Sequence, residues 1–355
     1  MSIKRLDWLL NFGILFLFGS GLLSLASTNR NLFWTQLGWG VLAAATVVFV
    51  ANFDWRSFAN SRWFIFGIYG FSIFLLAVTL LAPAIRGTRG WLPLGPFRFQ
   101  TSEFSKFALI LLFSYFFAKR HVGIANLRTL AAAFIYFLIP VALILIQPDM
   151  GSALILSGIW FGYLLVSGIR WKHLLAAAII GALGLTLMWN FGLKEYQKDR
   201  IVGLFNPAHD PLGVNYNVIQ AKIAIGSAGI FGKGFGQGTQ SQLGFLPEAQ
   251  TDFMFAAFTE EWGIFGAAAV LAAFLLTLFQ IMRISTASDN NFFKLIGLGT
   301  SISLLLHFIV NTGSNLGLMP VIGVSFPFLS YGGSNLIVNA LLIGMIQSSV
   351  IYRRF

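Results

Sequence analysis

The sequence predicts an all-α, polytopic membrane protein of about ten transmembrane helices folded as a single domain. Three observations predict it. Hydrophobic residues make up 57% of the chain and charged residues only 10%, against roughly 25% charged in a soluble domain. Mean hydropathy is +0.79. Ten stretches are apolar enough to cross a hydrocarbon core of about 30 Å, which takes about 20 helical residues.

In order, these stretches are Trp8–Ala26, Phe33–Asn52, Trp63–Pro83, Ser102–Ala118, Thr129–Ile146, Met150–Ser167, Leu174–Leu193, Phe253–Met282, Leu295–Gly317 and Gly332–Ile351. Each must be helical, because lipid offers the backbone no hydrogen-bond partner. The first follows Lys4 and Arg5 and is longer than the roughly 7–15 residues of a signal-peptide core, so it reads as a span.

The net charge of +11 is not gathered on one solvated face, which argues against a nucleic-acid partner. The cations sit in short loops instead. With the N-terminus in the cytoplasm, Lys4, Arg5, Arg56, Arg62, Lys119, Arg120, Arg128, Arg170, Lys172, Arg283, Lys294, Arg353 and Arg354 all fall inside. That is the positive-inside pattern, and an even span count returns the C-terminus to the cytoplasm. Glu103, Asp149, Asp252, Glu260 and Glu261 then lie outside or at outer helix ends, so any chemistry is expected to face out. The chain has no cysteine. His121, His173, His209 and His307 show no ligand spacing, which argues against a zinc site.

Four outer segments interrupt the hydrophobicity: Ile85–Thr101, the turn Gln147–Pro148–Asp149, the long stretch Lys194–Thr251 between spans seven and eight, and Met319–Tyr331. Loops as long as the third are usually functional or disordered. Asn206-Pro207 and Asp210-Pro211-Leu212-Gly213 mark turns within it. Val214–Ile225 fits an interfacial helix with its apolar side in lipid. Gly226–Gly238, GSAGIFGKGFGQG, fails the Walker pattern, leaving a flexible or close-packed glycine loop, or backbone contact with a substrate.

Glu103 and Lys106 share a helix face, either as a structural ion pair or as the lining of a substrate path, and Ser102 is a candidate helix cap. After LPEAQT at Leu246–Thr251, Asp252 stands beside the first turn of a span. It reads either as part of a cap or as a carboxylate placed to take a proton from a hydroxyl. The adjacent Glu260 and Glu261 support a competing reading, ion or proton coupling in a transporter. Arg86, Arg89, Arg98, Arg200, Lys222 and Lys233 form a basic set suited to a diphosphate, with lipid headgroup contact as the plainer alternative.

These residues lie in ordered motifs: GTRGWLPLGPFRFQTSEFSK at Gly87–Lys106, IQPDMGSA at Ile146–Ala153, a run from Asn206 to Ala256 ending GFLPEAQTDFMFA, and NTGSNLGLMPVIGVSFPFLSYGGSN at Asn311–Asn335. With them the chain resembles, nearly end to end, the SEDS family (shape, elongation, division and sporulation) of peptidoglycan polymerases. The short N-terminus and GTQSQ at Gly238–Gln242 resemble the elongation branch more than the division branch. Two positions depart from the family pattern. Gln-Pro-Ser-Glu reads Gln100-Thr101-Ser102-Glu103 here, and His-Thr-Asp reads Gln250-Thr251-Asp252, so no carboxylate is lost.

The resemblance implies a glycosyltransferase joining lipid II, a disaccharide-pentapeptide on undecaprenyl diphosphate, to a nascent glycan strand by β-1,4 transfer. The site would face outward from the bacterial cytoplasmic membrane, with a class B penicillin-binding transpeptidase as partner. Asp252 is implied as the catalytic base. Glu103, Lys106, Arg98, Arg200, Lys222, Lys233, Gln240 and Ser330 are expected to line the cavity or bind the diphosphate. A divalent cation, Mg or Mn, held by Asp252 or a neighbouring acid would fit such chemistry. The competing function is a transporter or flippase of the lipid-linked precursor.

The charge pattern makes one direct prediction. A single cysteine introduced as Asp210→Cys is expected to react with a membrane-impermeant thiol reagent from outside the cell; labelling only from the cytoplasmic side would contradict the orientation.

Overall fold

The structure, a computed structural model, describes residues 6–84, 87–95, 97–119, 127–168, 171–192, 195–206, 210–213 and 215–352. Lys4, Arg5, Arg86, Arg120, His121, Arg170, Pro207, His209, Arg353 and Arg354 lie outside the described residues. Every one of the ten apolar stretches contains a helix. These are α1 (Trp8–Thr28), α2 (Arg30–Ala51), α4 (Arg62–Thr79), α5 (Thr101–Ala118), α6 (Leu127–Ile146), α7 (Met150–Val166), α8 (Trp171–Leu187), α12 (Met254–Thr286), α13 (Asn291–Asn315) and α14 (Gly333–Ile351). Between them lie α3 (Trp55–Ala59), strands β1 (Trp91–Leu94) and β2 (Phe97–Gln100), and helices α9 (Glu195–Phe205), α10 (Tyr216–Gly226) and α11 (Thr239–Gln242).

By length and composition eight of the helices can cross a membrane: α1, α2, α4, α5, α6, α12, α13 and α14. At 17 residues each, α7 and α8 sit at the short end of the roughly 17–25 residues that span a bilayer. In α5, 83% of the apolar window is buried, and in α14 78%, against 17% in α2. Helices α5 and α14 are therefore the interior of the bundle. Helix α13 packs on both and on α7 and α12, while α2 backs α14 and α1 backs α12. A polar side chain on α5, α13 or α14 consequently has to find its partner inside the protein.

Three segments differ from the sequence expectation. Part of Ile85–Thr101 is an antiparallel hairpin, pairing Trp91 with Gln100, Leu92 with Phe99 and Pro93 with Arg98, which delivers the chain directly into α5. Much of Lys194–Thr251 is helical, as α9, α10 and α11. The helix expected to lie in lipid is α10, but its fully buried Ala221 and Ala224 pack with Phe253, Ala256 and Ala257 of the α12 region. Small residues let the two backbones approach, so one face meets protein while Ile223 stays open.

Helix α12 is broken at Gly263, whose φ of 72° and ψ of −174° are not helical. The glycine loop mends the break. Main-chain N–H groups of Lys233 and Gly234 donate to the carbonyls of Glu260 and Glu261, each at 3.0 Å, while Ile264 and Phe265 donate to Gly229 at 3.0 Å and Ile230 at 3.1 Å. The groups orphaned by the kink are thus satisfied by neighbouring backbone. A Cβ at Gly263 would sit 2.3 Å from both Gly232 N and Ile230 O. Of the readings open for this loop, close packing is the one observed.

Gly263→Ala is therefore expected to lower stability by at least about 1–3 kcal/mol, read as a fall in the thermal midpoint of the purified protein. An unchanged midpoint would contradict the splice.

Candidate functional site

The four polar segments meet at one end of the bundle. Arg89 N–H donates to the Gln147 carbonyl at 3.3 Å, joining the hairpin strand region to the α6–α7 turn, and Tyr331 N–H donates to Gln250 O at 3.0 Å. Gln100 N–H donates to Ser334 Oγ at 3.0 Å, and Arg200 Nη1 donates to Val321 O at 2.8 Å. Asp149 caps α7 through Ser152 N–H at 3.0 Å and accepts from Ser102 Oγ at 3.3 Å. Ser102 is accordingly not the cap expected for this span: α5 starts at Thr101, and its cap position, Gln100, gives no side-chain bond.

Asp252 is half-buried, in the turn that enters α12. Three consecutive carbonyls of that turn are held. Tyr331 N–H takes Gln250 O, Ser330 Oγ–H takes Thr251 O at 2.6 Å, and the amides of Asn311 and Asn315 take Asp252 O at 2.8 and 2.9 Å. Ser330 also accepts from Phe326 N–H. It therefore braces the turn next to Asp252, where the sequence had placed it in the cavity lining. Ala256 N–H, in the first turn of α12, is capped from α13 by Asn315 Oδ1 at 3.1 Å.

Glu103 and Lys106 form an ion pair at 2.7 Å, with side chains only 8% and 4% exposed. His307 Nδ1 must be protonated to donate to Ser303 O at 2.7 Å, which makes Nε2 the acceptor for Lys106 Nζ at 2.8 Å. Asn335 Nδ2 donates to the other Glu103 oxygen at 3.0 Å, and Asn339 donates to Asn335 at 2.8 Å. The pair was expected to line an open cavity with Asp252. Instead it is the centre of a buried network joining α5, α13 and α14, and α13 carries it toward Asp252 one turn along, at Asn311.

Glu260 is enclosed. It accepts from Lys233 Nζ at 2.8 Å, Thr239 Oγ1, the N–H groups of Gln240 and Ser241, and Ser241 Oγ. Glu261 accepts from Ser27, Gln242 and Gly236 N–H. The two acids diverge and clamp the 229–242 segment to the broken helix. Lys233, expected at a diphosphate, is thus committed to Glu260 by its side chain, and Gln240 reaches the same acid only through its main-chain N–H.

Arg200 and Lys222 do come together. They line a groove between α9, α10 and the 317–321 segment, with Asn215, Val218 and Met319, and both are exposed. Arg98 is exposed on β2 and is tied to α14 only through its carbonyl and Ser334. Among the described residues, no three His, Asp or Glu side chains lie together as a metal-holding group.

The site residues missed in the sequence are Asn311, Asn315, His307, Asn335 and Asn339. Ser303, His307, Asn311 and Asn315 recur every four residues, which puts them on one face of an otherwise apolar helix. That spacing was the available signal.

Comparison with known proteins agrees with this architecture. The profile of the FtsW/RodA/SpoVE family, described as cell cycle protein, matches residues 2–354. The peptidoglycan glycosyltransferase MrdB of Escherichia coli is 38% identical over 79% of this chain and 76% of its own length. The peptidoglycan glycosyltransferase RodA of Treponema pallidum is 29% identical over 96% and 94%. A chain from a solved structure described as "Structural coordination of polymerization and crosslinking by a peptidoglycan synthase complex" superposes with a TM-score of 0.83 at 31% identity, covering 98% of this chain and 99% of that one. The crystal structure of Thermus thermophilus RodA gives a TM-score of 0.73 at 27% identity with full coverage of both chains.

For the buried pair, Lys106→Met strands the Glu103 carboxylate and is expected to cost about 3–5 kcal/mol. The double variant Glu103→Gln/Lys106→Met removes both charges and should lose less. Thermal midpoints report this, and a double variant as unstable as the single one would contradict it.

Proposed function

The chain belongs to the FtsW/RodA/SpoVE family, and on that premise we propose that it polymerises peptidoglycan glycan strands from lipid II, with Asp252 as general base. The observation that carries the reading is the Asp252 turn. A half-buried carboxylate stands where four polar segments converge, on a backbone whose carbonyls are each hydrogen-bonded. An acid needed only for packing would not call for such fixing.

In the proposed step, the 4-hydroxyl oxygen of the incoming sugar attacks the anomeric carbon of the growing strand. The bond from that carbon to the lipid diphosphate breaks, the hydroxyl proton passes to the Asp252 carboxylate, and undecaprenyl diphosphate leaves. A sugar hydroxyl is a weak nucleophile, and a positioned base contributes about 10²–10⁴-fold. The exposed cations Arg200 and Lys222, with Arg98 on the hairpin, would bind the diphosphate and offset the charge that develops on it. The donor arrives already activated through the membrane, so this end needs no nucleotide.

We place this end of the bundle outside the bacterial cytoplasmic membrane and both termini in the cytoplasm, following the Lys and Arg distribution. A class B penicillin-binding transpeptidase is the partner we assign. The transporter reading has less support, because both oxygens of Glu260 are occupied by donors from its own chain and Glu261 is tied through one oxygen to Ser27 and Gln242.

Asp252→Asn keeps shape and removes charge. With purified lipid II and the transpeptidase partner, it is expected to lower polymerisation by about 10²-fold or more without altering the fold; near-wild-type rates would remove the base role. Arg200→Ala and Lys222→Ala are expected to raise KM for lipid II, and an unchanged KM in both would remove the groove from diphosphate binding.

A further inference from the structure

We infer that Asn311 and Asn315 are positioning residues for the glycosyl transfer, acting on Asp252 through its main-chain carbonyl. This rests on the proposed role of Asp252 as base. Both side chains are fully buried within α13. Placing two amides there is costly unless each finds partners, and they find them on the Asp252 turn, the 319–332 segment, the first turn of α12 and α13 itself. Asn311 Nδ2 donates to Asp252 O and to Val324 O, each at 2.8 Å. Asn315 Nδ2 donates to Asp252 O at 2.9 Å and to Asn311 O at 2.8 Å, while its Oδ1 takes Ala256 N–H.

The four-residue spacing stacks the two amides on one face of α13, so both lone pairs of the Asp252 carbonyl are filled from one rigid element. The same two side chains reach the 319–332 segment and the first turn of α12. Three pieces of backbone are thereby held in register, and the Asp252 peptide plane is fixed on both sides. The direction of a carboxylate follows from its backbone. A catalytic group displaced by about 1 Å can lose about 10²-fold in rate, so the clamp acts on turnover rather than on substrate affinity.

The test uses the full chain with its transpeptidase partner and purified lipid II. Asn315→Leu removes one amide at similar volume and leaves Asn311 on the carbonyl, while Ala256 N–H loses its cap. Asn311→Leu removes the other. Assayed below the lowered midpoint that the stranded backbone groups bring, each is expected to lower kcat by about 10–100-fold with KM close to wild type, and Asn315→Gln, which restores a donor, should recover part of the loss. An unchanged kcat in both Leu variants would overturn the inference, as would a fall in which kcat, KM and midpoint move together. Asp252→Asn in the same assay separates the two claims. If it is inactive while the Leu variants turn over normally, only the clamp fails; if it is active, the base reading fails and the clamp with it.

Discussion

Everything polar in the interior of this bundle has to be satisfied by the protein itself, because the surrounding lipid donates and accepts nothing. That constraint explains features that look unrelated in the sequence. The break in α12 exposes carbonyls and amides that only the glycine loop can reach, and the loop has glycine at positions 229, 232 and 234 with positive φ. A carboxylate on α5 requires Lys106, and Lys106 in turn requires His307, with Asn335 and Asn339 completing the chain. Because its members are spread over three helices, the network also fixes how α5, α13 and α14 meet. Loss of one member strands the next.

Helix α13 connects the two centres. One face carries His307 toward the Glu103–Lys106 pair and Asn311 and Asn315 toward the Asp252 turn. Another side meets α7: the Tyr163 hydroxyl bonds the Leu295 carbonyl at 2.8 Å and leaves no room for a side chain at Gly299. A helix so constrained is a suitable rail for the turn that carries Asp252. The surfaces assigned to the lipid diphosphate, on α9, α10 and the hairpin, lie instead on exposed, shorter elements that can adapt to a bulky substrate.

The spans were legible in the sequence because hydrophobic length is a direct physical requirement of crossing lipid. The place of Asp252 at a helix entry was legible as well, since a proline, an acid and a helix start fall together at Leu246–Phe253. The hairpin was not. Four-residue strands with a proline in one of them give almost no alternation to detect. The fate of Glu260 and Glu261 was equally hidden, because adjacent acids give no sign of pointing into different partners until the Gly263 break is known. The burial of Glu103 and Lys106 depended on α5 being central rather than peripheral, and apolar composition is the same in both cases. His307 was weighed only as a metal ligand, whereas its role follows from spacing to Ser303 and Asn311.

The central claim is that this architecture makes a bond rather than a passage. Proteoliposomes containing the chain and the transpeptidase proposed as its partner, with lipid II in both leaflets and no ion gradient, test it most directly by measuring glycan strands and lipid translocation together. Glycan strands forming with release of undecaprenyl diphosphate is the result expected. Movement of lipid II between leaflets in response to an imposed ion gradient, with no glycan formed, would contradict it.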